Sequence, residues 1–77
     1  MYRYLDVLKW KNPGNPIEQQ ELLVVEDSSG IFVEVRHLID GDYMEGTTKE
    51  SFEDLDYVGH VTAYERPDEI WNKFRKM

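Results

Sequence analysis

The chain has no cysteine, and this absence removes two classes of small protein at once. A disulfide framework cannot form, and neither can a thiolate metal site. Secreted domains of this size usually need disulfide staples, so their lack points to a reducing compartment, the cytoplasm. Long apolar runs are missing as well. The longest, Leu22-Leu23-Val24-Val25, has four residues, far short of the ~20 that span a bilayer. No membrane association is expected. The opening Met1-Tyr2-Arg3-Tyr4-Leu5-Asp6 does not read as a signal peptide, because an acid and polar groups interrupt any apolar core. There is no Asn-x-Ser/Thr acceptor, and neither end carries a lipidation motif. Proline (three) and glycine (five) are scarce and no low-complexity run occurs, which argues against disorder.

Sequence signals for catalysis are equally thin. No phosphate-binding glycine loop is present, and Ser28, Ser29 and Ser51 lie in no nucleophile motif. Asp40-Gly41-Asp42 invites comparison with a calcium loop. An EF-hand starting at Asp40 would need an oxygen ligand at Met44, glycine at Glu45 and glutamate at Ser51, and all three fail. The tripeptide therefore reads as a turn with an acidic tip. The two histidines, His37 and His60, lie in predicted strands without a short ligand spacing. They would form a metal site only by meeting across a sheet beside a carboxylate; otherwise each is an ordinary strand histidine. Sixteen acids in a short chain bring two carboxylates together by chance, and a small domain rarely builds the pocket that tunes one for acid–base work. The chain is not expected to be an enzyme, and no cofactor or metal is expected.

What is present is a single domain over residues 1–77, with a β-rich body (1–65) and a C-terminal helix (66–77). The apolar content is 40%, and the aromatic share, 13%, supplies the large rings that a small core needs. A chain of this size buries only about 60% of its unfolded surface, so its stability margin is thin.

Apolar periodicity predicts the elements. Tyr2 to Trp10 alternates, with Tyr2, Tyr4, Leu8 and Trp10 on one face and Asp6 as the exception, which predicts a strand. Asn12-Pro13-Gly14-Asn15-Pro16 ends it in an irregular turn. Glu18-Gln19-Gln20-Glu21 suits a helix, whereas Leu22 to Val25 reads as a buried strand. Ile31 to Ile39 is the clearest strand, with Ile31, Val33, Val35 and Ile39 on one face and Phe32, Glu34, Arg36 and Leu38 on the other. The two runs make a hairpin across Asp27-Ser28-Ser29-Gly30, where Gly30 is free to take positive φ. Tyr43 to Thr48 is a further strand, and Ser51-Phe52-Glu53-Asp54 has the capping-box spacing of a short helical turn through Leu55. Tyr57 to Glu65 alternates again, and Gly59 within it marks a bulge or a close backbone approach. Pro67 opens the last helix, whose Ile70, Trp71, Phe74 and Met77 form one apolar stripe.

The segments Phe32 to Asp42, Glu45-Gly46-Thr47-Thr48, Phe52-Glu53-Asp54-Leu55 and Tyr57 to Val61 resemble the second half of a small SH3-like barrel. The resemblance covers roughly residues 20–61. It implies a strand, an Asp-Gly turn, a strand, one helical turn and a closing strand, and a binding role in place of catalysis. The paired aromatic motif of polyproline-binding SH3 domains is missing. The composition is also similar to that of small acidic accessory proteins of phages and prophages. The expected fold is mainly β: a small antiparallel SH3-like barrel or curled sheet of about five strands with a short C-terminal helix.

Charge is the strongest functional signal. The net charge of −7 is uneven: residues 1–11 carry +2, residues 12–65 carry −11 and residues 66–77 carry +2. Within residues 40–56, seven acids face a single Lys49. An acidic body repels phosphate backbones, so direct nucleic-acid binding is disfavoured. The expected function is an acidic protein-interaction module whose partner is a protein with a basic surface. Its acidic face would consist of Asp40, Asp42, Tyr43, Glu45, Glu50, Phe52, Glu53, Asp54, Asp56 and Tyr57, the rings adding apolar contact. One specific form is a mobile-element inhibitor that imitates phosphate charge on a host enzyme. Two alternatives stand beside it. One is a nucleic-acid-binding domain using Lys9, Lys11, Arg36, Lys73, Arg75 and Lys76; the other is a structural subunit of a virion-type assembly. Trp10, Trp71 and Phe74 are expected in the core, and Tyr43, Tyr57 and Tyr64 as exposed rings.

Overall fold

A computed structural model describes residues 2–75. In chain order the elements are β1 (Asp6–Trp10), α1 (Pro16–Gln20), β2 (Leu22–Ser29), β3 (Phe32–Ile39), β4 (Asp42–Ser51), a single 3-10 turn (Phe52–Asp54), β5 (Leu55–His60) and α2 (Pro67–Phe74). The strands form one antiparallel sheet in the order β4-β3-β2-β1-β5. The mainly β class with five antiparallel strands and a short C-terminal helix is the one the chain adopts. The sheet is not closed into the anticipated SH3-like barrel: β4 and β5 remain edges, and no ladder joins them among the described residues.

Both faces of the sheet are buried, which explains the unbroken apolar run in β2. That strand is central, so Leu22 and Val24 face one cluster and Leu23 and Val25 the other. The first cluster, with Val7, Leu38 and Val61, is covered by Ile70 and Phe74 of α2. Burying two such side chains contributes about 1.5–3 kcal/mol each. The second cluster, with Leu8, Val33, Val35 and Leu55, is capped by Tyr2, Trp10 and Phe52.

Turn chemistry fixes the hairpins. Asp40 (φ 53°) and Gly41 (φ 84°) form the two-residue loop between β3 and β4, the Asp-Gly pair favoured where both residues need positive φ. Gly30 (φ 62°) opens the loop between β2 and β3. Gly59 meets both expectations. The β1–β5 register slips beside it, and a Cβ added there would lie 2.5 Å from the Phe74 ring. Its missing side chain is what lets α2 dock.

Three expectations are corrected and one ambiguous stretch is resolved. The first strand starts at Asp6, not Tyr2. Leu5 takes φ 70°, and buried Asp6 turns its Oδ2 back to accept the Arg3 N–H at 2.7 Å, closing a turn before the strand. Asp6 breaks the alternation for that reason. The Glu18 region is a true short helix: Asn15 Oδ1 caps it by accepting the Glu18 N–H at 2.8 Å. The turn after Ser51 is present, but Ser51 makes no side-chain cap. Ile31, placed at the start of a strand, lies instead in the hairpin loop before Phe32 and is 68% exposed. Met77 and Lys76 fall outside the described residues.

Candidate functional site

The ten predicted acidic-face residues do not form one patch. Asp40, Asp42, Tyr43 and Glu45 lie at one end of β4, whereas Glu50, Phe52, Glu53 and Asp54 lie at its other end and in the 3-10 turn. Ten strand residues separate these groups by up to roughly 30 Å along the chain. Asp56 and Tyr57 belong to β5, the opposite edge strand. Sequence proximity conceals this division because a strand spreads its residues over its whole length.

Two of the rings serve packing. Phe52 is half-buried and stands edge-on to Tyr2, with ring centroids 5.2 Å apart. Tyr43 is half-buried under the Arg36 guanidinium, 4.2 Å from its ring. Burial is the main cause that raises the Tyr43 phenol above its ordinary value, with Arg36 opposing it. Tyr57 and Tyr64 are exposed. Of the rings placed in the core, Phe74 is buried, whereas Trp10 and Trp71 are half-buried.

The predicted basic residues form no continuous row. Lys11 lies 3.9 Å from Asp56, Arg36 lies 3.4 Å from Glu26, and Lys73 lies 3.5 Å from Glu65. Arg75 lies over the Trp71 ring. Lys9 is exposed on β1, and Lys76 lies outside the described residues.

Sequence reading missed a polar chain on the second cluster's side of the sheet. Glu21 is buried. Its Oε1 accepts the Trp10 indole N–H at 2.6 Å, and its Oε2 lies 2.9 Å from His37 Nδ1. His37 Nε2 lies 2.6 Å from Thr48 Oγ1, and Thr48 donates to Glu50 Oε2 at 2.7 Å. Which of these contacts the His37 ring donates depends on the nitrogen that carries the hydrogen. A signal for this site was available. His37 shares parity with Val33 and Val35, so it had to face the core side, where a polar side chain needs a partner. His60 makes a second pair, its Nδ1 2.8 Å from Asp6 Oδ1. The two histidines therefore have separate carboxylates and do not meet. Among the described residues, no group of three or more His, Asp and Glu side chains is placed to hold a metal ion.

Among the shallow depressions on the surface of the described residues, two stand out. One, of about 310 Å³, is lined by Asp27, Ser29, Phe32, Glu34 and Lys49. The other, of about 170 Å³, lies between Trp10, Asn12, Glu18 and Asp54. No helix among the described residues is long and apolar enough to cross a membrane.

The free edge of β4 has a readable pattern. The Phe52 N–H donates to Ile31 O at 3.1 Å. Antiparallel ladders alternate, so Glu50 and Thr48 turn their amides toward β3. Thr47, Lys49 and Ser51 turn theirs outward. Comparison with known proteins adds no relative: no family model, curated protein or solved structure matches the chain.

Proposed function

We propose that the protein is a small acidic protein-interaction module that binds a basic segment of its partner along β4. The observation that carries this reading is the placement of the acids. They flank both ends of an edge strand whose outward amides are unpaired within the sheet. An extended partner segment would take those amides as an added strand, while its basic side chains would meet Asp40, Asp42 and Glu45 at one end and Glu53 and Asp54 at the other. Lys49 is the one cation between them. Opposite charge of this kind raises association rate and fixes orientation. Salt should therefore weaken binding, chiefly by slowing association. An inhibitor that occupies a nucleic-acid site on a host enzyme is a special case, and its inhibition should share that salt sensitivity. The nucleic-acid reading loses weight because Lys11, Arg36 and Lys73 each lie beside a carboxylate.

The test is capture of a partner by three forms of the protein: wild type, Thr47→Pro, and a charge reversal of Asp40, Asp42, Glu53 and Asp54 to lysine. Proline at position 47 removes an outward N–H and the Thr47 hydroxyl's bond to Glu34, but no amide that faces β3. Both variants should lose the partner. Retention by both would refute the reading.

A further inference from the structure

The depression between α1, the end of β1 and the 3-10 turn joins an aromatic ring to two acids. The Trp10 indole forms one wall, and the carboxylates of Glu18 and Asp54, from two different elements, form others, with Asn12 completing it. Two of the walls, Trp10 and Glu18, are held from outside the depression. The indole N–H is bound to Glu21, whose second oxygen is bound to His37, so the ring orientation is set from beneath. Glu18 Oε1 accepts the Gly14 N–H at 2.7 Å, which fixes that carboxylate on its loop. Among the described residues, neither Glu18 nor Asp54 has an ion-pair partner; the nearby cation, Lys11, lies against Asp56 instead.

An aromatic face beside two unneutralised carboxylates suits a flat cation. A guanidinium stacks on an indole and directs its N–H fork at carboxylate oxygens, whereas an ammonium has no flat face to stack. We infer that this pocket receives an arginine side chain of the partner. The inference rests on the reading of the partner as a basic protein segment, and it names the residue type that anchors it. The held Trp10 ring and Glu18 carboxylate favour such an anchor because these two side chains lose little freedom on binding.

The pocket is tested without a partner. The probe is N-acetyl-arginine amide titrated into ¹⁵N-labelled protein, read at the Trp10 indole N–H resonance, which Trp71→Phe assigns. The corresponding citrulline amide, of similar shape and no charge, is the control. Arginine should move the resonance saturably, citrulline should not, and the Glu18→Gln/Asp54→Asn double variant should bind about tenfold more weakly. An unmoved resonance would overturn the inference. So would equal shifts with citrulline, unchanged affinity in the double variant, or N-acetyl-lysine amide binding as tightly as arginine. Unchanged amide spectra elsewhere confirm that the double variant is folded. Because no partner is present, failure here removes the pocket and leaves the β4 reading to its own test. A bound arginine together with capture by Thr47→Pro would do the reverse.

Discussion

Glu21 is a buried carboxylate with two side-chain partners, Trp10 and His37. Removing it leaves an indole N–H and an imidazole without their acceptor in a largely dry site. Leaving such groups unsatisfied costs about 1–3 kcal/mol. Glu21→Ala should lower the urea midpoint accordingly and increase the mobility of the Trp10 ring, read as a fall in its fluorescence anisotropy. An unchanged midpoint would mean that water replaces the carboxylate freely. The tyrosines give a pH dependence. Burial raises both Tyr2 and Tyr43 above the ordinary 10.0, so the folded state keeps these phenols protonated after the unfolded chain has begun to lose its protons. Their contribution is therefore fully present below pH 10 and is lost as pH rises through the folded values. Urea midpoints measured from pH 9 to 11 should fall, and less steeply in Tyr43→Phe. An equal slope in that variant would remove Tyr43 from the account.

At the scale of elements, Gly59 couples β5 to α2. A methyl group at this position would lie 2.5 Å from the Phe74 ring, which is fixed in the first cluster. Gly59→Ala should therefore cost about 1–3 kcal/mol by overpacking. Pairing it with Phe74→Leu should cost less than the sum of the two single changes; strict additivity would show that the ring moves aside freely. Most elements were legible because their signals are local. Asp40-Gly41 announced its hairpin, the Leu22–Val25 run its central strand, and Pro67 with Ile70 and Phe74 the final helix. The first strand was drawn four residues too long because Tyr2 and Tyr4 keep the alternation by chance. The chain turns at Leu5, and nothing in the identity of a leucine announces positive φ. The acidic face was legible as charge and illegible as geometry, since adjacency in sequence says little about which end of β4 a residue occupies. The Glu21–His37 pair joins residues sixteen apart, and only the parity of His37 hinted at it.

Across the whole molecule, the sheet is open, and its two edges differ. On β5, Tyr57 is exposed and Asp56 is occupied by Lys11. On β4, outward amides run between two acidic ends. A chain of net charge −7 repels itself as well as attracting a basic partner. Salt should accordingly act in opposite directions, stabilising the free fold slightly while weakening the complex. The central claim is that partner binding runs along β4. Its most direct test is capture from the source cell's lysate by tagged wild type and by the folded Thr47→Pro variant, each at low and high salt. The account predicts one stoichiometric partner with wild type at low salt, released by high salt and absent with the variant. The same partner held equally by both proteins would contradict it.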